Sequence, residues 1–119
     1  MTLYKKNFGK QGEDIAFQYL IDHDFKIIDR NFRSKFGEID IIAQKGNKLF
    51  FVEVKTRSNL KKGMPYEAIN KRKIHQMKKA STYFLMQNNY KDLKYTLSAF
   101  SILFINLNDY RLHFFESID

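Results

Sequence analysis

Two short runs, Gly37-Glu38-Ile39-Asp40 and Val52-Glu53-Val54-Lys55, flank the dipeptide Gly46-Asn47. They constrain the fold more than any other feature of the chain. Gly-Asn between two apolar-rich segments marks a tight hairpin. Folding the strands back about it makes paired positions sum to 93, which sets Asp40 opposite Glu53. Residues two apart in a strand share a face, so Lys55 stands on the same side as Glu53. Two ionised carboxylates about 5 Å apart repel by roughly 3 kcal/mol at an effective dielectric of about 20. A sheet containing such a pair must protonate one member or hold a cation between them. The neighbouring lysine and the basic balance of the chain favour the cation, and with it a metal site for phosphate chemistry.

At 119 residues the chain fits one domain, residues 1–119, and its 44% apolar content with twelve Phe and seven Tyr suffices for a core. Cysteine is absent, which excludes disulfides and thiolate metal sites. No apolar run has the length of a membrane span, and the N-terminus lacks the pattern of a secretory leader. A cytoplasmic protein without membrane attachment is expected. The net charge of +8 favours polyanionic partners. Its cations cluster at Lys5-Lys6 and Lys10, at Arg33 and Lys35, at Lys61-Lys62, at Lys71-Arg72-Lys73 and at Lys78-Lys79. Such clusters suit phosphate backbones. A merely soluble, lysine-rich surface is the competing reading, and charge alone does not separate the two.

Helical spacing of Phe8, Gly12, Ile15, Ala16, Tyr19 and Leu20 predicts a helix over Phe8 to His23, with Asn7 as N-cap. A short strand follows over Phe25 to Asn31. The hairpin strands cover Gly37 to Gln44 and Lys48 to Thr56. Ile39 and Ile41 are expected on one face of the first, and Phe50, Val52 and Val54 on one face of the second. Apolar residues on both faces place this ribbon centrally in its sheet. Arg57 to Pro65 reads as a loop. A long helix is predicted over Tyr66 to Asn88, burying Ile69, Lys73, Met77, Ala80 and Phe84, with Tyr83 beside them. A second hairpin completes the chain, over Leu93 to Ile105 and Arg111 to Ile118 about Asn108-Asp109. The expected fold is α/β, a mixed sheet of about five strands flanked by helices, in the order α-β-β-β-α-β-β.

Mg²⁺ and Mn²⁺ take hard oxygen ligands and keep waters and a substrate phosphate oxygen. Asp40, Glu53 and the Val54 carbonyl can supply one side of such a shell. A bound ion polarises a phosphoryl group and acidifies a coordinated water. Lys55 is placed to orient or deprotonate that water, or to stabilise charge growing on phosphorus.

These residues carry a family resemblance. Glu13, then Gly37-Glu38-Ile39-Asp40, then Phe51-Val52-Glu53-Val54-Lys55 resembles the PD-(D/E)xK, restriction-endonuclease-like superfamily. The layout is similar to archaeal Holliday-junction resolvases and most of all to the YraN family of uncharacterised predicted endonucleases. The likeness also takes in Gly9-x-x-Gly12-Glu13, Arg30-Asn31, Phe51 to Arg57, Gly63, Lys73, Ala80 and Tyr83. It implies a helix-flanked core sheet and Mg²⁺-dependent (or Mn²⁺-dependent) cleavage of phosphodiesters in DNA, selected by structure rather than sequence. It assigns Asp40 and Glu53 as metal ligands, Lys55 as the catalytic lysine and Glu13 as an outer carboxylate of the metal shell. A junction-cleaving relative needs two sites, so a homodimer is an implied partner state, although no segment of the sequence marks an interface. The chain departs from the pattern in one strand: YraN relatives usually carry Arg-Phe-Asp-Val where this sequence has Ala99-Phe100-Ser101-Ile102.

Each assignment has a plainer counterpart. Asp40 and Glu53 can be ion-pair partners of nearby lysines, and Glu13 can serve the helix dipole. Glu38 can join the site or pair with Lys55 or Arg57. Lys73 either snorkels outward or reaches into the cleft. Arg57, Lys73, Arg33, Lys35, Lys71 and Arg72 are candidate nucleic-acid contacts or solvated cations. The function readings are a metal-dependent endonuclease, a nucleic-acid-binding protein that keeps the nuclease fold with little or no catalysis, and a module that binds an acidic protein in DNA uptake or repair.

Overall fold

A computed structural model describes the backbone of residues 2–90 and 92–119, and side chains from Phe8 onward apart from Lys91. The chain runs α1 (Thr2–Asp22), β1 (Lys26–Ser34), β2 (Gly37–Lys45), β3 (Lys48–Arg57), a 3-10 turn (Pro65–Ala68), α2 (Lys71–Asn88), β4 (Lys94–Asn106) and β5 (Asp109–Phe115). This is the expected α-β-β-β-α-β-β order. The five strands form one sheet in sequence order, antiparallel throughout except for β3 and β4, which run parallel. A parallel pair needs a crossover, and α2 provides it.

The hairpin register follows from its two-residue turn. Lys45 pairs with Lys48, and the ladder continues to Ile41 with Val52. Gly46 has φ +63°, a conformation that glycine adopts without steric cost. Strand β3 lies at the centre, and its parallel neighbour β4 is buried without a break from Thr96 to Phe104. Strands covered on both faces read as such continuous runs.

Two apolar layers sandwich the sheet. Ala16 and Leu20 of α1 pack against Ile41, Ala43, Phe50, Val52 and Phe100. Met77, Ala80 and Phe84 of α2 pack against Ile39, Ile42, Phe51 and Leu97. Phe50, Val52 and Val54 share the α1 face, as their alternation requires. Ile39 and Ile41 do not share a face: Ile39 joins the α2 layer and Ile41 the α1 layer. Alternation slips between them at Asp40, where the paired strand β1 carries Asn31 at φ +55° and the β2–β3 ladder has ended.

Both helices begin elsewhere than the periodicity suggested. α1 already runs through residue 7, so Asn7 is not its cap; the Asn7 side chain lies outside the described residues. The segment predicted as one helix from Tyr66 is broken. Ile69 and Asn70 are extended, and the Asn70 side chain accepts the Lys73 N–H at 2.9 Å. An Asx side chain closing onto the third helical N–H stabilises a start there by roughly 1 kcal/mol. Ile69 therefore lies outside α2, whose buried face is Met77, Ala80, Ser81 and Phe84.

Candidate functional site

The site forms where two strands separate. β2 stays paired with β1 down to Gly37, and β3 stays paired with β4 to Arg57, but the β2–β3 ladder stops at Ile41–Val52. In the opened gap, Asp40 Oδ2 accepts the Val54 N–H at 2.7 Å. An aspartate side chain thus replaces the backbone partner that the ladder would have supplied. The N–H and C=O of one residue leave a strand on the same side, so the Val54 carbonyl also points into the gap.

Glu53 is only 4% exposed. A buried carboxylate needs paired charge, and two lysines provide it. Lys73 Nζ lies 3.1 Å from Glu53 Oε2, and Lys55 Nζ lies 3.5 Å from the same oxygen. Lys73 therefore reaches into the cleft rather than snorkelling outward. The Asn70 cap fixes the first turn of α2 and so places the Lys73 backbone over the sheet.

Asp40 and Glu53 lie one position beyond the last paired residues, so they are not the cross-strand pair that the register predicts, yet their carboxyls still meet across the gap. Burial, then the Glu53 charge and a hydrogen bond shared with that carboxyl, push the Asp40 pKa up to about 7; the Val54 N–H opposes the shift. The Glu13 pKa is raised too, first by burial; Arg30 opposes this, while the charges of Asp14, Glu38 and Glu53 add to it. Asp40 in turn feels Glu13. Three carboxyls on α1, β2 and β3 thus form one electrostatic group. They do not close a cage by themselves: among the described residues, no three His, Asp or Glu side chains are arranged to hold an ion. Two acidic side chains and a carbonyl are the donors directed at the gap, a hard-oxygen set suited to Mg²⁺ or Mn²⁺ with water filling the remaining positions.

Gly12 explains how α1 comes close enough for Glu13 to take part. A Cβ at residue 12 would overlap Thr56 Oγ1, so glycine lets the helix backbone rest on the end of β3. Arg30, to which the sequence reading gave no role, holds the next residue: its guanidinium lies 3.0 Å from Asp14 and stacks on Phe17 with 4.5 Å to the ring centre. The Arg30-Asn31 pair was visible as part of the motif, but its job depends on which helix packs above it.

The remaining cations are dispersed. Arg33 on β1 is exposed and ion-paired with Glu38 at 3.1 Å, so Glu38 pairs with neither Lys55 nor Arg57. Lys35 sits in the β1–β2 turn over the Phe36 ring. Lys71 and Arg72 are exposed in the first turn of α2, and Arg57 ends β3 half-buried. Ala99 pairs with Glu53 and Ser101 with Lys55 across the β3–β4 ladder. Their small side chains stand beside the two site residues, and the Ser101 hydroxyl accepts the Tyr66 N–H at 3.1 Å.

No helix among the described residues is long and apolar enough to cross a membrane. The sequence profile of the uncharacterised protein family UPF0102 matches residues 12–105. A UPF0102 protein of Fusobacterium nucleatum is 40% identical over 98 residues, 82% of each chain. One from Dictyoglomus turgidum is 42% identical over 87% of this chain and 85% of its own length. One from Caldanaerobacter subterraneus is 39% identical over 91% and 86%. The matched region contains the whole carboxylate group and both lysines.

Proposed function

We infer the activity of this chain, which belongs to the uncharacterised protein family UPF0102, from its carboxylate site: it is a divalent-metal-dependent endonuclease that hydrolyses phosphodiester bonds in DNA, branched or damaged DNA being the favoured substrate. The observation that carries this reading is the buried Glu53, apposed to Asp40 and touched by two lysines from different elements. A structural ion pair needs one lysine and no second carboxylate. The resemblance to YraN-type endonucleases supports the same reading.

Asp40, Glu53 and the Val54 carbonyl would hold Mg²⁺ or Mn²⁺, with Glu13 acting through water. The ion, when bound, supplies Lewis-acid activation of the phosphoryl group and a water of lowered pKa. Lys55, 35% exposed and 3.5 Å from Glu53, would orient the attacking water or stabilise charge on the scissile phosphate. Lys73 anchors Glu53 from behind. Arg57, Lys71, Arg72, Arg33 and Lys35 contribute phosphate contacts to a net charge of +8.

The test is cleavage of four-way, flap and single-stranded DNA by the purified full chain with Mn²⁺ or Mg²⁺. Asp40→Asn and Lys55→Ala should each reduce cleavage by at least about 10²-fold with the fold intact. Cleavage that persists in both variants would come from a contaminant and sink the reading. A second reading, a nucleic-acid-binding protein with little or no catalysis, is favoured by the incomplete carboxylate cage. It expects DNA binding that survives in EDTA and no cleavage of any substrate.

A further inference from the structure

We propose that the loop following β3 is a phosphate-binding site separate from the carboxylate centre, built to anchor a nucleic-acid phosphate away from the scissile bond. The proposal rests on the nucleic-acid reading above and extends it to a second place on the molecule. A polar cavity of about 370 Å³ is lined by Thr56, Arg57, Ser58, Asn59, Lys61 and Lys62. Three cations and no carboxylate line it, and none of the three is in an ion pair among the described residues. Arg30, Arg33, Lys55 and Lys73, by contrast, each make an ion pair, the two lysines sharing Glu53.

The loop is shaped rather than slack. Asn59 Oδ1 accepts the Lys61 N–H at 3.0 Å, an Asx turn, and the Gly63 N–H closes back on the Leu60 carbonyl at 3.0 Å. Gly63 has φ +87°, which turns the chain sharply after the two lysines. Arg57 Nε is buried with no hydrogen-bond partner among the described residues. A buried donor in that condition costs roughly 1–3 kcal/mol. An oxyanion in the cavity, with a small rotation of the guanidinium, supplies the acceptor. Hydroxyls of Thr56 and Ser58 add neutral donors. This combination of a planar fork, two point charges and hydroxyls is the donor set that recognises phosphate oxygens.

Its position sets its role. Arg57 lies four residues beyond Glu53 on β3, roughly 13 Å along a strand. A phosphate held there is not the one at the carboxylates. It belongs to another nucleotide of the same strand, a short way from the scissile bond. Anchoring at that remove fixes the path of the strand across the site. Two sources share the chemistry: an internal phosphodiester and a terminal phosphomonoester.

The test uses the full chain labelled with ¹⁵N and titrated with inorganic phosphate at constant ionic strength, chloride serving as the control. A saturable shift of the Arg57 Nε–H and the Ser58–Gly63 amides is expected, absent in the Lys61→Gln/Lys62→Gln double variant. Shifts spread evenly over all lysines, or reproduced by chloride, would overturn the site. Oligonucleotide binding is then measured in the Asp40→Asn background across a salt series. Arg57→Gln should lower the salt slope by about one and the lysine double variant by about two. A loss common to all oligonucleotides identifies an internal phosphate. A loss confined to 5′- or 3′-phosphorylated strands identifies an end. Unchanged slopes in both variants, alongside Asp40-dependent cleavage by wild type, would refute this anchor and leave the nuclease reading standing. Reduced slopes in a protein that never cleaves would do the reverse.

Discussion

Lys73 Nζ sits 3.1 Å from Glu53 Oε2, closer than Lys55, which shares a strand face with that glutamate. The partner from α2, distant in sequence, holds the buried carboxylate more tightly than the lysine two residues away. Lys73→Met should therefore destabilise the protein by about 1–3 kcal/mol in urea, since one lysine is left to offset a buried charge. Adding Glu53→Gln should recover most of the loss. If the two single losses simply add, the pair is not coupled.

Stability in EDTA should fall as pH rises from about 4 towards 7. The Asp40 pKa is about 7 in the fold against an ordinary 3.8. Between those values the native state holds a proton that the unfolded chain has released. Raising the pH therefore favours unfolding, and the contribution is lost as pH passes the folded pKa. Its full size is on the order of 4 kcal/mol, an upper figure. Other carboxylates titrate in the same window, so the readout is the difference between wild type and Asp40→Asn. That difference should grow with pH; a constant gap would refute the coupling.

Divalent metal should raise the melting temperature of wild type at pH 8 by relieving the carboxylate repulsion, with little effect on Asp40→Asn. Without metal, Asp40→Asn should be at least as stable as wild type. The amide oxygen can still accept the Val54 N–H, and its NH₂ group can donate to Glu53. A variant several degrees less stable in EDTA would show that Asp40 is a structural anion.

Gly12→Ala should destabilise by about 1–3 kcal/mol despite the higher helix propensity of alanine, because the new methyl overlaps the Thr56 hydroxyl. Thr56→Ala removes the obstructing atom, so the double variant should regain most of the loss. If Gly12→Ala proves more stable than wild type, α1 does not bear on β3 at this point.

The central hairpin was legible because its determinants are local. A two-residue turn fixes register, and the expected pairing holds from Lys45–Lys48 to Ile41–Val52, one step short of Asp40 and Glu53. The start of α2 was less legible, since apolar spacing runs through Ile69 while Asn70 reads as an ordinary polar residue until its side chain is seen closing on Lys73. Glu38 could be matched to several cations in one dimension, and only strand pairing brought Arg33 alongside it.

The sequence by itself determined the strand order along the chain and the hairpin register as far as Ile41 and Val52, because two-residue turns and the period of a strand act over a few bonds. Tertiary structure alone decided where β2 and β3 separate, how Ile39 and Ile41 divide between layers, how Asp40 meets Glu53 beyond the ladder, and that Lys73 joins Lys55 at Glu53. Those outcomes depend on how two helices press on opposite faces of the sheet. Burial then selects, from many cations of similar reach, the one whose backbone is fixed nearest the charge that water no longer solvates.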